Sequence, residues 1–74
     1  MTKQEAVNEA GNHLAFIEEN PFLMLPDGTK IKVESIGIWN LGNDQWEVRA
    51  FFLREGDKLY DSFNVNTLYT YRCL

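Results

Sequence analysis

The sequence predicts an α+β fold in which one N-terminal helix packs on a four-stranded antiparallel meander sheet. The first quarter of the chain has the apolar spacing of a helix lying on a sheet, and the stretch that follows alternates apolar and polar residues between three turn signals. With 74 residues, the chain is long enough for a single α+β domain, residues 1–74. Residues 66–74 fit either a helix or a strand, so their place is left open.

The helix is predicted from both of its ends. Its opening segment, Thr2-Lys3-Gln4-Glu5, matches a capping box, in which the Thr2 hydroxyl and the Glu5 carboxylate each accept from the other residue's backbone N–H. Pro21 disfavours helical backbone at Asn20 and ends the helix there. The apolar residues that share one arc of about 100° are expected to face the sheet: Ala6, Val7, Ala10, Leu14 and Ile17.

Turn chemistry predicts the strand register. Residues 25–29 (LPDGT) read as a type I turn with Gly28 left-handed, which places Leu23 opposite Ile31. A second turn centred on Gly42 and Asn43 places Trp39 opposite Trp46 as a cross-strand pair. Continued along the strands, this register gives the pairs Gly37–Val48, Ser35–Ala50, Val33–Phe52 and Ile31–Arg54. A third turn at 55–58 leads to a fourth strand from Lys58 to about Val65, with Phe63 beside Ala50.

In this register the sheet has more apolar residues than one helix can cover. The core face has small residues at its centre, Ser35, Gly37, Val48 and Ala50, which form a shallow trough for the helix. The face that points away from the helix carries the surplus: Phe22, Met24, Ile36, Ile38, Phe51, Leu53 and Tyr60, interleaved with Lys30, Lys32, Glu34, Glu47 and Arg49. Monomers rarely leave such a face bare. Its occupant is the folded-back C-terminal segment, a second copy of the chain, or a different protein.

A second candidate surface lies on the outer side of the helix. Its members fall within about 80° of one another when the helix is drawn at 100° per residue: Glu5, Glu9, Asn12, Phe16 and Glu19. Phe16 is either an exposed anchor for a partner or a cap packed under the return of the chain at Pro21 and Phe22. Glu18 and Glu19 stand in the last helical turn, where negative charge opposes the helix dipole.

The residue types that carry catalysis are sparse. The one histidine, His13, is expected on the edge of the helix without a nucleophile near it in sequence. Asp61 faces inward opposite Phe52 in this register, but an edge position or a slip of one residue turns it to solvent. Without a cluster of ligands or a glycine-rich phosphate loop, no metal site and no cofactor are expected. The sequence therefore favours a protein that is not an enzyme.

Charge and composition restrict the partner. Seven basic and eleven acidic residues give a net charge of −4, which repels a phosphate backbone and favours a protein partner with a basic surface over nucleic acid. The single cysteine, Cys73, favours a reducing compartment. No apolar run approaches the length of a membrane span, and the first residues lack the apolar stretch of a signal peptide. We therefore expect a cytoplasmic protein with no membrane contact.

These observations favour a small acidic, non-enzymatic protein-binding module that acts as an inhibitor or adaptor through the sheet face or the acidic helix. The opening Thr2-Lys3-Gln4-Glu5-Ala6 resembles the first helix of PepSY-type domains, some of which are protease inhibitors; the resemblance covers about a quarter of the chain and includes no functional motif. Three alternatives stay open. They are a phage anti-defence inhibitor, similar in style to anti-CRISPR proteins, that competes for a basic nucleic-acid-binding site; a structural homodimer; and a small-ligand carrier that uses the trough.

Overall fold

A computed structural model describes residues 1–54 and 56–74, and the α+β class is confirmed. The elements in chain order are helix α1 (Lys3–Glu19), strands β1 (Phe22–Met24), β2 (Lys30–Gly42), β3 (Gln45–Arg54) and β4 (Asp61–Asn64), a 3₁₀ helix (Val65–Thr70) and strand β5 (Arg72–Cys73). The sheet is antiparallel in the order β4-β3-β2-β1-β5. The meander of four strands is therefore as predicted, and the C-terminal segment adds a fifth strand beside β1.

Helix α1 begins and ends where the sequence indicates. The Thr2 hydroxyl accepts from the Glu5 N–H at 3.2 Å, and the Glu5 carboxylate accepts from the Thr2 N–H at 2.9 Å, which completes the capping box. At the other end, the Asn20 N–H donates to the Phe16 carbonyl at 2.8 Å. The Pro21 carbonyl then accepts from Val33 of β2, which ties the end of the helix to the sheet.

The face that α1 turns to the sheet is rotated from the predicted stripe. Ala6, His13 and Ile17 are buried, whereas Val7 and Leu14 are 47% and 44% exposed. Hydrophobicity alone does not predict this rotation, because the buried side chain of His13 is polar. Tyr69 of the 3₁₀ helix contacts His13, so this side of the helix is covered as well.

The first hairpin agrees with its turn chemistry. The Gly28 N–H donates to the Leu25 carbonyl at 2.9 Å, and Gly28 has the positive φ of +89° that the turn requires. Leu23 pairs with Ile31 as predicted, and both side chains are buried.

The second hairpin has a different register from the predicted one. Its two turn residues are Asn43 and Asp44, both with positive φ, so that the turn lies one residue later in the chain. Two β-bulges, at Glu34 and at Leu41, then change the pairing along β2. Trp39 lies opposite Glu47, and Trp46 lies opposite Asn40, so the predicted tryptophan pair was wrong. Below the bulge at Glu34 the predicted pairs Val33–Phe52 and Ile31–Arg54 are present.

Between the two bulges, every side chain of β2 lies on the opposite face from the one predicted. Ile36 pairs with Ala50 and Ile38 pairs with Val48, and both isoleucines pack against the core. Their assignment to the face away from the helix was therefore wrong. Because these side chains fill the middle of the core face, the predicted trough that a small ligand would occupy is absent from the described residues.

The C-terminal segment returns across the helix side of the sheet. The fourth strand is shorter than predicted; Phe63 pairs with Ala50 as expected, and Asp61 pairs with Phe52 but is exposed on this edge strand. Val65 and Leu68 of the 3₁₀ helix are buried in the core, and the Tyr71 ring packs edge-on against Phe63 at 5.4 Å. The segment thus completes the core that α1 begins and does not cover the other face of the sheet.

Candidate protein-binding face

The sheet face away from α1, here called the outer sheet face, is open to solvent. Its apolar members are Phe22, Met24, Trp39, Phe51 and Leu53, with Tyr60 beside them in the segment before β4. Its polar members are Lys30, Lys32, Ser35, Glu47, Arg49, Ser62, Asn64 and Arg72, and the bulge residue Glu34 joins them through its ion pair with Lys32. The pleat of the strands places these residues on one side, because paired residues in antiparallel strands share a face.

Three aromatic rings project from the outer sheet face with half or more of their surface exposed. Phe22 is 51% exposed, Trp39 55% and Tyr60 60%. Shallow hollows lie beside two of these rings, one next to Phe22 and Leu53, and another lined by Phe51 and Tyr60. Exposed aromatic side chains next to hollows are the usual anchors of protein interfaces.

Phe51 lies at the centre of this face and is held close to the backbone of β2. A Cβ atom added to Gly37 would stand 2.8 Å from Cε2 of the Phe51 ring, so the ring rests where only glycine leaves room. Gly37 therefore packs against the Phe51 ring on the outer sheet face, whereas the sequence predicts that it lies under the helix.

A network of hydrogen bonds centred on Arg49 orders the polar part of the face. The Arg49 guanidinium donates to Glu47 Oε1 at 2.6 Å and to the hydroxyl and carbonyl oxygens of Ser62 at 3.0 Å, and Asn64 donates to Glu47 Oε2 at 3.3 Å. The bond from Arg49 lowers the pKa of Glu47, an effect that partial burial of the carboxylate opposes. Glu47 thus stays ionised at neutral pH and keeps Arg49 in position.

The outer sheet face is more cationic than the protein as a whole. It carries four cations, Lys30, Lys32, Arg49 and Arg72, against the two carboxylates Glu34 and Glu47. Lys32 lies 3.7 Å from Glu34, and Arg49 is paired with Glu47, whereas Lys30 and Arg72 form no ion pair with a described residue. The net charge of −4 therefore does not describe this face.

The structure brings most of the predicted anchors together. Phe51, Leu53 and Tyr60 lie on or beside the outer sheet face, as do Phe22 and Met24. Ile36 and Ile38 are removed from it by the bulge at Glu34. Trp39 takes their place and is the anchor that sequence reasoning missed, since nothing in the local sequence marks Glu34 as a bulge.

The second predicted surface, on the outer side of α1, is largely engaged within the protein. Glu5 is held in the capping box, and the Glu9 carboxylate is hydrogen-bonded to Nε2 of His13 at 3.0 Å. Phe16 is half-buried and packs on Tyr69 with ring centroids 4.8 Å apart, so it is a cap, although its contact is the 3₁₀ helix and not the return at Pro21. Glu19 and Asn12 are exposed. No exposed aromatic anchor is left among these residues.

His13, predicted as a helix-edge side chain, is instead buried between α1 and the 3₁₀ helix. Only 8% of it is exposed, its Nε2 lies 3.0 Å from Glu9, and its Nδ1 is hydrogen-bonded to the hydroxyl of Tyr69. Both ring nitrogens therefore have partners, as a buried imidazole requires. Tyr69 stands 56 residues away in sequence, so only the fold reveals this cluster.

Replacing Tyr69 by phenylalanine is expected to lower the free energy of unfolding by about 1–3 kcal/mol, because a nitrogen of the buried His13 loses its partner. Urea unfolding measures the change. Tyr60→Phe is the matched control: the Tyr60 hydroxyl bonds to no described residue, and we expect a change below about 0.5 kcal/mol. Equal losses in the two variants would show that the clamp on His13 contributes nothing.

Comparison of the chain with protein-family models, with curated proteins and with solved structures found no match. The likeness of the first helix to PepSY-type domains therefore gains no support from the family models. Within residues 1–54 and 56–74, no group of three or more metal-ligating side chains comes together. Across the same residues, no helix has the length and apolar character to cross a membrane.

Proposed function

We propose that this protein is a non-enzymatic protein-binding module, an inhibitor or adaptor, that docks a partner on its outer sheet face. One observation carries the proposal: the C-terminal segment packs on the helix side and leaves the exposed aromatic rings of the opposite face uncovered. Among the three occupants considered from the sequence, the folded-back segment is thereby excluded for the described residues. The free cysteine, Cys73, is compatible with a reducing cytoplasmic location.

The arrangement of side chains on the outer sheet face supports the docking of a partner protein. Aromatic anchors at Phe22, Trp39 and Phe51 stand beside the ordered polar network of Arg49, and interfaces commonly join an apolar centre to a polar rim in this way. Because Arg49 is already fixed by Glu47 and Ser62, little side-chain entropy is lost when a partner binds next to it.

The charges suggest how a partner would be oriented. Lys30 and Arg72, which form no ion pair with a described residue, favour carboxylates of the partner at the β1 side of the outer sheet face. A basic patch of the same partner would instead match the exposed carboxylate of Glu19 at the end of α1. The expectation of a basic partner surface, drawn from the net charge, therefore belongs to the helix end.

The test is a capture experiment with matched variants. Phe51→Glu is expected to lose at least about 90% of the partner that the wild-type bait retains from lysate, because it places a charge among the apolar anchors. Leu59→Glu adds the same charge and removes a leucine that is 84% exposed, and it should retain the partner. Quantitative mass spectrometry of the captured proteins measures both. A partner that Phe51→Glu retains as well as wild type would overturn the proposal.

A further inference from the structure

Among the residues that the structure describes, one side of strand β2 has no neighbouring strand over most of its length. Strand β1 pairs only with residues 30–32, and Val33 donates to the Pro21 carbonyl at 2.8 Å. From Glu34 to Gly42, β2 pairs only with β3 among the described residues. Such an edge presents a row of backbone N–H and C=O groups that can pair with another strand.

Between its two bulges, this edge lacks the charged and proline residues with which proteins usually protect open edges. No charged side chain and no proline occurs from Ser35 to Asn43, where lysine or proline would normally discourage pairing. The same property makes the edge compatible with itself, because an antiparallel pair of two such segments opposes no like charges.

The flank of α1 beside this edge is also apolar and exposed. Val7 and Leu14 are 47% and 44% exposed, and between them Gly11 has nothing within 4 Å of an added Cβ. Tyr69 packs on the other flank of the helix, and the 3₁₀ helix to which it belongs contacts β3 and β4. The row of Val7, Gly11 and Leu14 therefore lies toward the open edge of β2.

The row on α1 complements itself when it is read in the opposite direction. Val7 comes opposite Leu14, the two middle positions meet at Ala10 and Gly11, and Lys3 comes opposite Glu18. Glu18 stands in the last turn of the helix, which contains no basic residue and where a carboxylate opposes the helix dipole. A lysine from a second helix would relieve this unfavourable position.

The middle of α1 and the middle of the open edge of β2 lie at the same level along the strands. The Met1 carbonyl accepts from the N–H of Trp46 on β3, and Trp46 pairs with Asn40 of β2, so α1 starts at the level of Asn40 along the strands. The helix ends near Val33, to which Pro21 is bonded. Along the strand direction, the midpoint of the helix therefore lies level with Gly37, near the middle of the open edge, so that one two-fold axis can serve the strand and the helix together.

We propose that two copies of this chain associate through the open edge of β2 and the flank of α1 formed by Val7, Gly11 and Leu14. The two β2 strands pair antiparallel about Gly37, and the two helices lie side by side with Lys3 of each copy against Glu18 of the other. The two sheets become one continuous sheet. The outer sheet face of each copy stays free. A failure of the dimer would therefore leave the proposed docking of a partner untouched, and a failure of the docking would leave the dimer untouched.

Sedimentation velocity over a range of concentrations tests the proposal. Wild type is expected to be a dimer that dissociates on dilution, and Leu14→Glu should weaken association by a factor on the order of 30 or more, since it places two carboxylates in the interface. Asn12→Glu carries the same added charge on the helix flank away from β2 and should associate like wild type. A wild-type chain that is monomeric at every concentration overturns the proposal. So does a dimer that Phe51→Glu separates and Leu14→Glu does not.

A charge exchange tests the orientation of the helices. Lys3→Glu alone and Glu18→Lys alone each oppose like charges across the two-fold axis, and each should weaken association by a factor of about 2–10. An equimolar mixture of the two variants restores both ion pairs in the mixed dimer, which native mass spectrometry distinguishes after one variant is isotope-labelled. We expect the mixed dimer to exceed its statistical half of the population. A statistical mixture would contradict the antiparallel arrangement.

Discussion

Replacing Leu68 by alanine is expected to lower the free energy of unfolding by about 2–5 kcal/mol, the cost of emptying a fully buried leucine site. Leu68 has no exposed surface and lies in the 3₁₀ helix that crosses the core beside Val65. A domain of this length has a net stability of roughly 3–5 kcal/mol, so a large part of the variant should be unfolded at 25 °C.

Urea unfolding followed by tryptophan fluorescence measures this loss. Leu59→Ala is the matched control, because it removes the same atoms from a side chain that is 84% exposed and should change the stability by less than about 0.5 kcal/mol. If Leu68→Ala unfolds at the wild-type urea concentration, the C-terminal segment is not part of the core, and it becomes available to cover the outer sheet face.

The bulge at Glu34 is tested by two neighbouring substitutions. Ile38→Asp is expected to lower the free energy of unfolding by about 2–4 kcal/mol, because Ile38 packs on the core opposite Val48 and a carboxylate there loses its water. Trp39→Asp, one position later, alters a side chain that is 55% exposed and should cost no more than about 1 kcal/mol.

The same urea titrations measure this pair, and each variant serves as the control for the other. Without the bulge, a strand that continues the register of Val33 and Phe52 would turn Trp39 to the core and Ile38 to solvent. The order of the two losses would then reverse, and Ile36 and Ile38 would return to the outer sheet face.

The parts of the fold that local chemistry determines could be predicted from the sequence. The capping box at Thr2 and Glu5, the stop before Pro21 and the turn at Gly28 are all decided by residues within a few positions of one another. The pairing of Leu23 with Ile31 follows from that turn, because a tight turn leaves little freedom in register.

The register of the second hairpin depends on effects that are not local. A turn at Asn43 and Asp44 alone would shift every pair from the predicted one, and the bulges at Leu41 and Glu34 restore the predicted pairing by Val33. These bulges let Ile36 and Ile38 enter the core below α1. The bulges are favoured because the two isoleucines pack under the helix, and strand propensity and turn residues carry no information about that packing.

The candidate site was predicted in part for the same reason. Phe51 and Leu53 lie on β3, which has no bulge, and their face follows from simple alternation. Trp39 lies between the two bulges and was misplaced with its neighbours. The position of the C-terminal segment depends on the contacts of Tyr69 and Leu68 with distant elements, so the sequence left open whether this face is covered.

The central claim is that the outer sheet face is a free surface kept for a partner, and the stability of Phe51→Glu tests it most directly. Its free energy of unfolding, measured in urea beside Leu68→Ala, is predicted to lie within about 1.5 kcal/mol of wild type, because the charge stays in contact with water. A loss as large as that of Leu68→Ala would mean that Phe51 belongs to a buried core, and would contradict the claim.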